Sequence, residues 1–263
     1  MENYLDINRK LWNAKLDSHL KSDFYFVDEF LQGRSSLNSI ELELLGNIKG
    51  KEILHLQCHF GQDSISLSRL GAKVTGVDLS DKAIEAGKNL AEKCGTDTEF
   101  ISSDIYNLPA ILDKKFDIVY TTYGTIGWLP DLKKWAKVIS NFLKPGGKLI
   151  FVEFHPFIWM YNDDFTEVEY DYFQGEPIIE TTEGTYADQT AKISLQEVGW
   201  NHELSSVIQS LINENLEIKN IQEYNYSPYS CFKNMQETDK GKFQIPQFGH
   251  KVPYVYSLVS QKN

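Results

Sequence analysis

Asp78 ends the stretch Lys73-Val-Thr-Gly-Val-Asp78, and a carboxylate closing a short apolar run is the first residue here whose position suggests chemistry. If residues 73 to 77 form a buried parallel strand, Asp78 stands where such strands open on a ligand crevice and can accept hydrogen bonds from both hydroxyls of a ribose. Upstream, Ile53-Leu-His-Leu-Gln-Cys-His-Phe-Gly61 reads as a strand running into a ligand loop. Ile65, Leu67 and Leu70 then recur at helical spacing before Gly71 stops the helix. A loop that closes on a pyrophosphate needs glycines where Gln57 and His59 stand. Asp63, at the start of the helix, suits the helix dipole but repels an incoming phosphate. The ligand implied is a nucleoside without phosphates.

The elements that must position these residues follow from the same kind of pattern. Residues 3 to 20 read as a polar-rich helix carrying Leu5, Trp12, Leu16 and Leu20, and 36 to 45 as a second helix. Ser80 suits the N-cap of a helix ending at Cys94-Gly95. Strands are expected at 98–101, 116–120 and 148–154, with a helix at 131–143 closed by Lys144-Pro-Gly-Gly147. Strand and helix in alternation predict a doubly wound parallel sheet with right-handed crossovers. Beyond Pro156 the pattern turns aromatic and acidic. Residues 167–173 and 177–182 read as extra strands inserted above the sheet, 205–211 as a helix, and 216–224 and 254–260 as closing strands. The connection 228–252 is long for a structureless loop and is expected to cover the substrate mouth.

The loop and the acid after the second strand resemble those of the class I S-adenosylmethionine-dependent methyltransferases, whose usual loop is close to V-L-D-L-G-C-G-T-G. Here His55 replaces the usual acid, and Gln57 and His59 replace two glycines, in the variant form L-H-L-Q-C-H-F-G-x-D. The resemblance covers residues 50 to 155. It implies an α/β fold: a doubly wound, seven-stranded, mostly parallel Rossmann-like sheet ending in an antiparallel hairpin. Within one domain, residues 1–48 are then an N-terminal helical cap, 49–155 the cofactor-binding core, 156–200 an inserted β-rich lid, and 201–263 the closing helix and strands. It also implies S-adenosyl-L-methionine as cofactor. Asp78 would hold the ribose, Asp104 the adenine amino group, and the backbone of Ile105 a ring nitrogen, with Leu79 and Thr121 also at the cofactor. Gly61 would let the backbone approach the amino-acid part, with Gln57 and His59 lining the same loop and the Tyr25 hydroxyl on the cofactor carboxylate.

Methyl transfer from a sulfonium is an in-line displacement, so alignment and exclusion of water can supply most of the catalysis. Some oxygen or nitrogen acceptors call for a base in addition, and Glu153 and His155, at the end of the fifth strand, are the candidates, with His202 a second choice. Trp12, Phe24, Tyr25 and Phe26 could close over a cationic sulfonium. Two histidines, His55 and His59, without a spaced acidic or cysteine partner argue against a metal.

The formal net charge of −11 disfavours a nucleic-acid groove, which requires clustered lysine and arginine. Three cysteines at unpaired spacings suit a reducing compartment, and no apolar run reaches ~18 residues, so the expectation is a cytoplasmic protein acting on a small molecule, away from membranes. A nicotinamide-dependent oxidoreductase and a catalytically silent nucleoside-binding protein are the rival readings.

Overall fold

The computed structural model describes residues 3–263; the first two residues of the expected cap lie outside the described residues. Eleven strands are present among them: β1 (Glu52–Leu56), β2 (Lys73–Asp78), β3 (Glu99–Ser102), β4 (Phe116–Thr122), β5 (Leu143–Phe154), β6 (Ile178–Glu183), β7 (Ser194–Gly199), β8 (Leu216–Tyr224), β9 (Gln236–Asp239), β10 (Lys242–Gln244) and β11 (Val255–Lys262). The helices are α1 (Tyr4–Lys21), α2 (Val27–Leu31), α3 (Ser39–Leu45), α4 (Gln62–Arg69), α5 (Asp81–Cys94), α6 (Leu132–Phe142) and α7 (Leu204–Asn213).

Seven strands form one sheet in the order β3-β2-β1-β4-β5-β11-β8. The first five run parallel, and β11 lies antiparallel between β5 and β8, as the expected closing hairpin requires. The order reverses between β1 and β4, which puts the crevice beyond the carboxyl ends of β1, β2 and β4. Leu54, Val119, Leu149 and Phe151 pack with Trp135 of α6 and Val207 and Leu211 of α7 on one face. On the other face Ile53, Val74, Ile118 and Ile150 pack with Leu45 of α3 and Leu67 of α4. With helices on both faces, the inner strands β1, β2 and β4 are buried on both sides and read as near-continuous apolar runs, whereas the edge strands β3 and β8 are largely exposed.

Local signals behave as their chemistry dictates. Ser80 accepts the Ala83 N–H at 3.0 Å to start α5, and Gly95 ends it in the left-handed region with φ +64°. Asp131 caps α6 by accepting from the Lys134 N–H at 3.0 Å. Pro145-Gly-Gly147, expected as a turn ahead of the fifth strand, is carried inside β5, where the ladder with β4 shifts register between Phe116 and Ile118.

The insertion differs from expectation. Ile178–Glu183 pairs antiparallel with Ser194–Gly199, whereas 167–173 makes only the isolated bridge Tyr161–Val168. Val168 and Phe173 are exposed, so the alternation there has no facing partner to bury it. The cap is docked onto the rest of the fold. Asn8 of α1 forms two buried hydrogen bonds to the Val198 backbone of β7, and Asn13 of α1 reaches Asp81 and Ser80 at the start of α5. Residues 228–252 carry the short β9–β10 hairpin, and Tyr229, Phe232 and Phe248 pack against Phe154 and Tyr254.

Candidate functional site

The loop between β1 and α4 keeps a glycine-like backbone without the glycines. Gln57 and His59 adopt φ +55° and +51°, left-handed values that cost an L-residue roughly 1–2 kcal/mol each. The Gln57 side chain donates from Nε2 to the Thr125 carbonyl at 2.7 Å, which ties the loop to the segment after β4. Its Oε1 is buried without a donor. Gly61 has φ +79°, and a Cβ there would come within 2.3 Å of the Phe100 ring. Its glycine is therefore required by packing as well as by backbone conformation.

Asp78 and this loop form one unit. The carboxylate accepts the His59 N–H and the Ser80 N–H, each at 2.8 Å, and stays half-buried at the end of β2. Burial pushes its pKa up to about 6 against those two hydrogen bonds. Each oxygen keeps a lone pair for a ligand hydroxyl. Leu79 beside it is half-buried. Asp104 turns its carboxylate onto the Tyr106 and Asn107 N–H groups, each at 3.2 Å, in an Asx turn, and the Ile105 side chain is core. Thr121, at the end of β4, is fully buried and its hydroxyl has no partner.

Above Asp78 lies an aromatic roof. The His59 ring meets Trp12 at 5.4 Å, His19 at 5.0 Å and Tyr25 at 5.5 Å between centroids. Tyr25 shares a hydrogen bond with Tyr186 from the insertion, and Trp128 packs edge-on against Trp12 at 5.4 Å. Sequence reasoning missed His19, Trp128 and Tyr186. Trp128 had a signal in its place just after the fourth strand; Tyr186 had none, since it arrives from a different segment. Phe26 does not join the roof: it is 39% exposed and lies under the Arg34 guanidinium at 3.6 Å. Burial lowers the His19 pKa to about 3 and pushes His59 well down, with Lys15 adding to both, so the two face each other neutral.

The two base candidates each have structural partners. Glu153 is 2% exposed and accepts from the N–H groups of Gly124, Thr125, Ile126 and Phe154 and from the Thr125 hydroxyl. A carboxylate with five donors has no lone pair to spare for a proton in flight; it anchors the loop after β4. His155 accepts the Phe157 N–H at Nδ1, 3.1 Å away, and points Nε2 at Glu223 of β8, 2.9 Å away. Nδ1 is therefore occupied by a backbone donor, while Nε2 makes no hydrogen bond of its own despite its closeness to Glu223.

A second acidic group lies behind the roof. Glu41 is fully buried, accepts from Asn38 and from the Tyr123 hydroxyl at 2.8 Å, and has its pKa raised to about 7, first by burial and then by Asp63. A folded-state pKa above the ordinary 4.5 means that the folded protein holds the proton more tightly. Stability is therefore lost as pH rises through the window from 4.5 to about 7. Glu41→Gln should shift the stability difference from the parent by about 2–3 kcal/mol in the variant's favour between about pH 5 and about pH 8. Urea unfolding at the two pH values checks this, and a pH-independent difference would show Glu41 ionised throughout.

Strand order, the acid after β2 and the loop after β1 define a nucleoside-binding α/β fold of the methyltransferase kind. The family model described as "Methyltransferase domain" matches residues 53–147. A Haemophilus influenzae protein described only as uncharacterized is 30% identical over 178 residues, 60% of this chain and 69% of that protein. A ubiquinone biosynthesis O-methyltransferase of Coxiella burnetii is 37% identical over 107 residues, 40% of this chain and 44% of that enzyme. The chain thus spans less than half the length of that enzyme. Among solved structures, geranyl diphosphate C-methyltransferase from Streptomyces coelicolor, determined with S-adenosyl-L-homocysteine, superposes with TM-score 0.62 at 14% identity, covering 100% of this chain and 98% of that one. The chain belongs to the class I S-adenosylmethionine-dependent methyltransferases.

Proposed function

We propose that this protein methylates a small-molecule acceptor with S-adenosylmethionine in the cytoplasm. The observation that carries the reading is the joint unit of Asp78 and the His59 N–H, which sets a carboxylate and a glycine-like loop on the same crevice. The residues fit the cofactor. Asp78 and Leu79 would hold the ribose, Asp104 and the Ile105 backbone the adenine. The buried, donorless Gln57 Oε1 suits the cofactor ammonium. His59, Gly61 and Thr121 would line the amino-acid part, and Tyr25 would reach its carboxylate on giving up Tyr186.

The cofactor supplies an electrophilic methyl group on a sulfonium. The chain supplies position and shelter: Trp12, Tyr25, His59 and Tyr186 exclude water, and Glu153 and Gln57 fix the loop after β4 from its two sides. The net charge of −11 supports a small acceptor over nucleic acid. Among the described residues no helix is long and apolar enough to cross a membrane, and the cysteines are free, in keeping with a reducing compartment. Calorimetry with S-adenosylhomocysteine and with NAD tests the reading. Binding of the first alone is expected; binding of NAD alone would replace it with the oxidoreductase.

A further inference from the structure

A wall of aromatic rings leads from the roof over Asp78 toward Glu41. Tyr25, 5.5 Å from His59 between centroids, is followed by Phe24 at 5.1 Å; Tyr186 and Tyr229 lie 5.4 and 5.6 Å from Phe24, and Tyr123 lies 5.1 Å from Tyr229. The wall therefore begins at the cofactor crevice. Asp78 and Asp63 both act on the Tyr25 hydroxyl, and Asp63 and Glu41 both act on that of Tyr229. Burial is the chief cause that keeps the protons on the hydroxyls of Tyr25, Tyr123, Tyr186 and Tyr229, yet Tyr186 is 38% exposed and the other three are half-buried. Groups shielded by protein that still keep accessible surface line a recess.

Tyr123 follows the last residue of β4, at the carboxyl end where the sheet order reverses, and adopts φ +48°. A bulky residue is uncommon in that left-handed region and persists there only where its surroundings fix it. Here the hydroxyl is held by Glu41 at 2.8 Å and the ring by Tyr229. The acids along the wall have no counter-ion. Asp63, half-buried, accepts from the Ser36 hydroxyl at 2.6 Å and lies 3.5 Å from the hydroxyls of Tyr120 and Thr122, and its charge helps Glu41 to keep a proton. Among the described residues no lysine or arginine bears on either acid. Such a recess sorts ligands by sign. An anion is repelled by Asp63 and Asp78, and an uncharged apolar group leaves Asp63 without a counter-charge. A cation gains from the ring faces and from the carboxylate at once, and the net charge of −11 draws it in.

We propose that this recess is the anchoring site for the acceptor, and that the acceptor carries an ammonium group, quaternary or protonated, seated against the rings of Tyr123 and Tyr229 in the field of Asp63. The inference rests on the methyltransferase reading above. The seated nitrogen is an anchor and not the atom that reacts, because a nitrogen with four bonds has no lone pair with which to attack a methyl group. The acceptor is then a molecule with two ends: a cationic end held by the tyrosines, and a nucleophilic end delivered toward the crevice at Asp78. Tyr123 and Tyr229 set the specificity, and Asp63 sets its sign.

The test uses choline as probe and dimethylbutanol, its isostere with carbon in place of the charged nitrogen, as the uncharged match. Calorimetry on the full chain should show choline binding about tenfold tighter or more, the scale of a cation–π attraction shielded from water, with S-adenosylhomocysteine already bound. Tyr229→Phe keeps a ring face and should keep that preference. Tyr229→Leu and Asp63→Asn should each lose most of it. If either variant fails to fold, the two probes compared on the parent protein still decide. Equal affinity for choline and its isostere overturns the proposal, as does an undiminished preference in folded Tyr229→Leu. Exclusion of choline by S-adenosylhomocysteine overturns it too and gives the recess to the cofactor's own ammonium. S-adenosylhomocysteine titrated alone separates the two readings. Choline preferred while S-adenosylhomocysteine does not bind keeps the cation site and removes the methyltransferase; S-adenosylhomocysteine bound while the two probes bind equally keeps the methyltransferase and removes the site.

Discussion

Asp78→Ala is expected to weaken S-adenosylhomocysteine binding by about 1.5–3 kcal/mol, roughly ten- to hundredfold, while the protein stays folded. Two losses coincide. The ribose hydroxyls lose a charged acceptor, and the His59 N–H loses the 2.8 Å bond that holds the loop in its left-handed conformation. The second loss acts before any ligand arrives, because Gln57 and His59 are strained there and relax once released. Asp78→Asn should fall between, since an amide oxygen serves one N–H where the carboxylate serves two. Calorimetry on variants with native circular dichroism decides. Parental affinity in Asp78→Ala would take this residue out of the cofactor site.

Glu153→Gln should cost roughly 3–5 kcal/mol of folding stability, far more than an exposed substitution. The carboxylate serves five donors, and an amide turns an NH₂ group toward some of them, leaving two or more without an acceptor. Urea unfolding measures the cost. Cofactor affinity should fall as well, because the Thr125 segment that Glu153 anchors is the one Gln57 grips from the other side. A general base would behave differently, with stability retained and turnover lost. A stability change under about 1 kcal/mol would mean that the anchor is dispensable.

The frame of the fold was legible where local chemistry and tertiary burial agree. The apolar run Ile53–Leu56, the Ser80 and Gly95 caps and the terminal hairpin each announce themselves within a few residues. The position of Asp78 was legible for the same reason, since it depends only on the end of a strand. What failed was whatever depends on a partner distant in sequence. Glu153 looks like a free carboxylate at a strand end until residues 124 to 126 fold down onto it. Residues 167–173 alternate as a strand should, yet a strand exists only where another backbone meets it, while Ser194–Gly199 alternates weakly and is paired. Unpartnered atoms such as the Tyr256 hydroxyl leave no trace in the sequence.

The two hydrogen bonds from Asn8 to Val198 have a consequence beyond docking a helix. A two-stranded hairpin such as β6–β7 presents a raw edge, a template on which another chain can add a strand. The Asn8 amide offers the Val198 backbone one donor at 2.8 Å and one acceptor at 3.0 Å, the pair that a neighbouring strand would offer. A single side chain thereby counterfeits a strand and seals that stretch of edge against aggregation. The chemistry of the seal is fragile in one respect: conversion of this amide to a carboxylate, the ordinary ageing of asparagine, would set a negative charge against the Val198 carbonyl and reopen the edge.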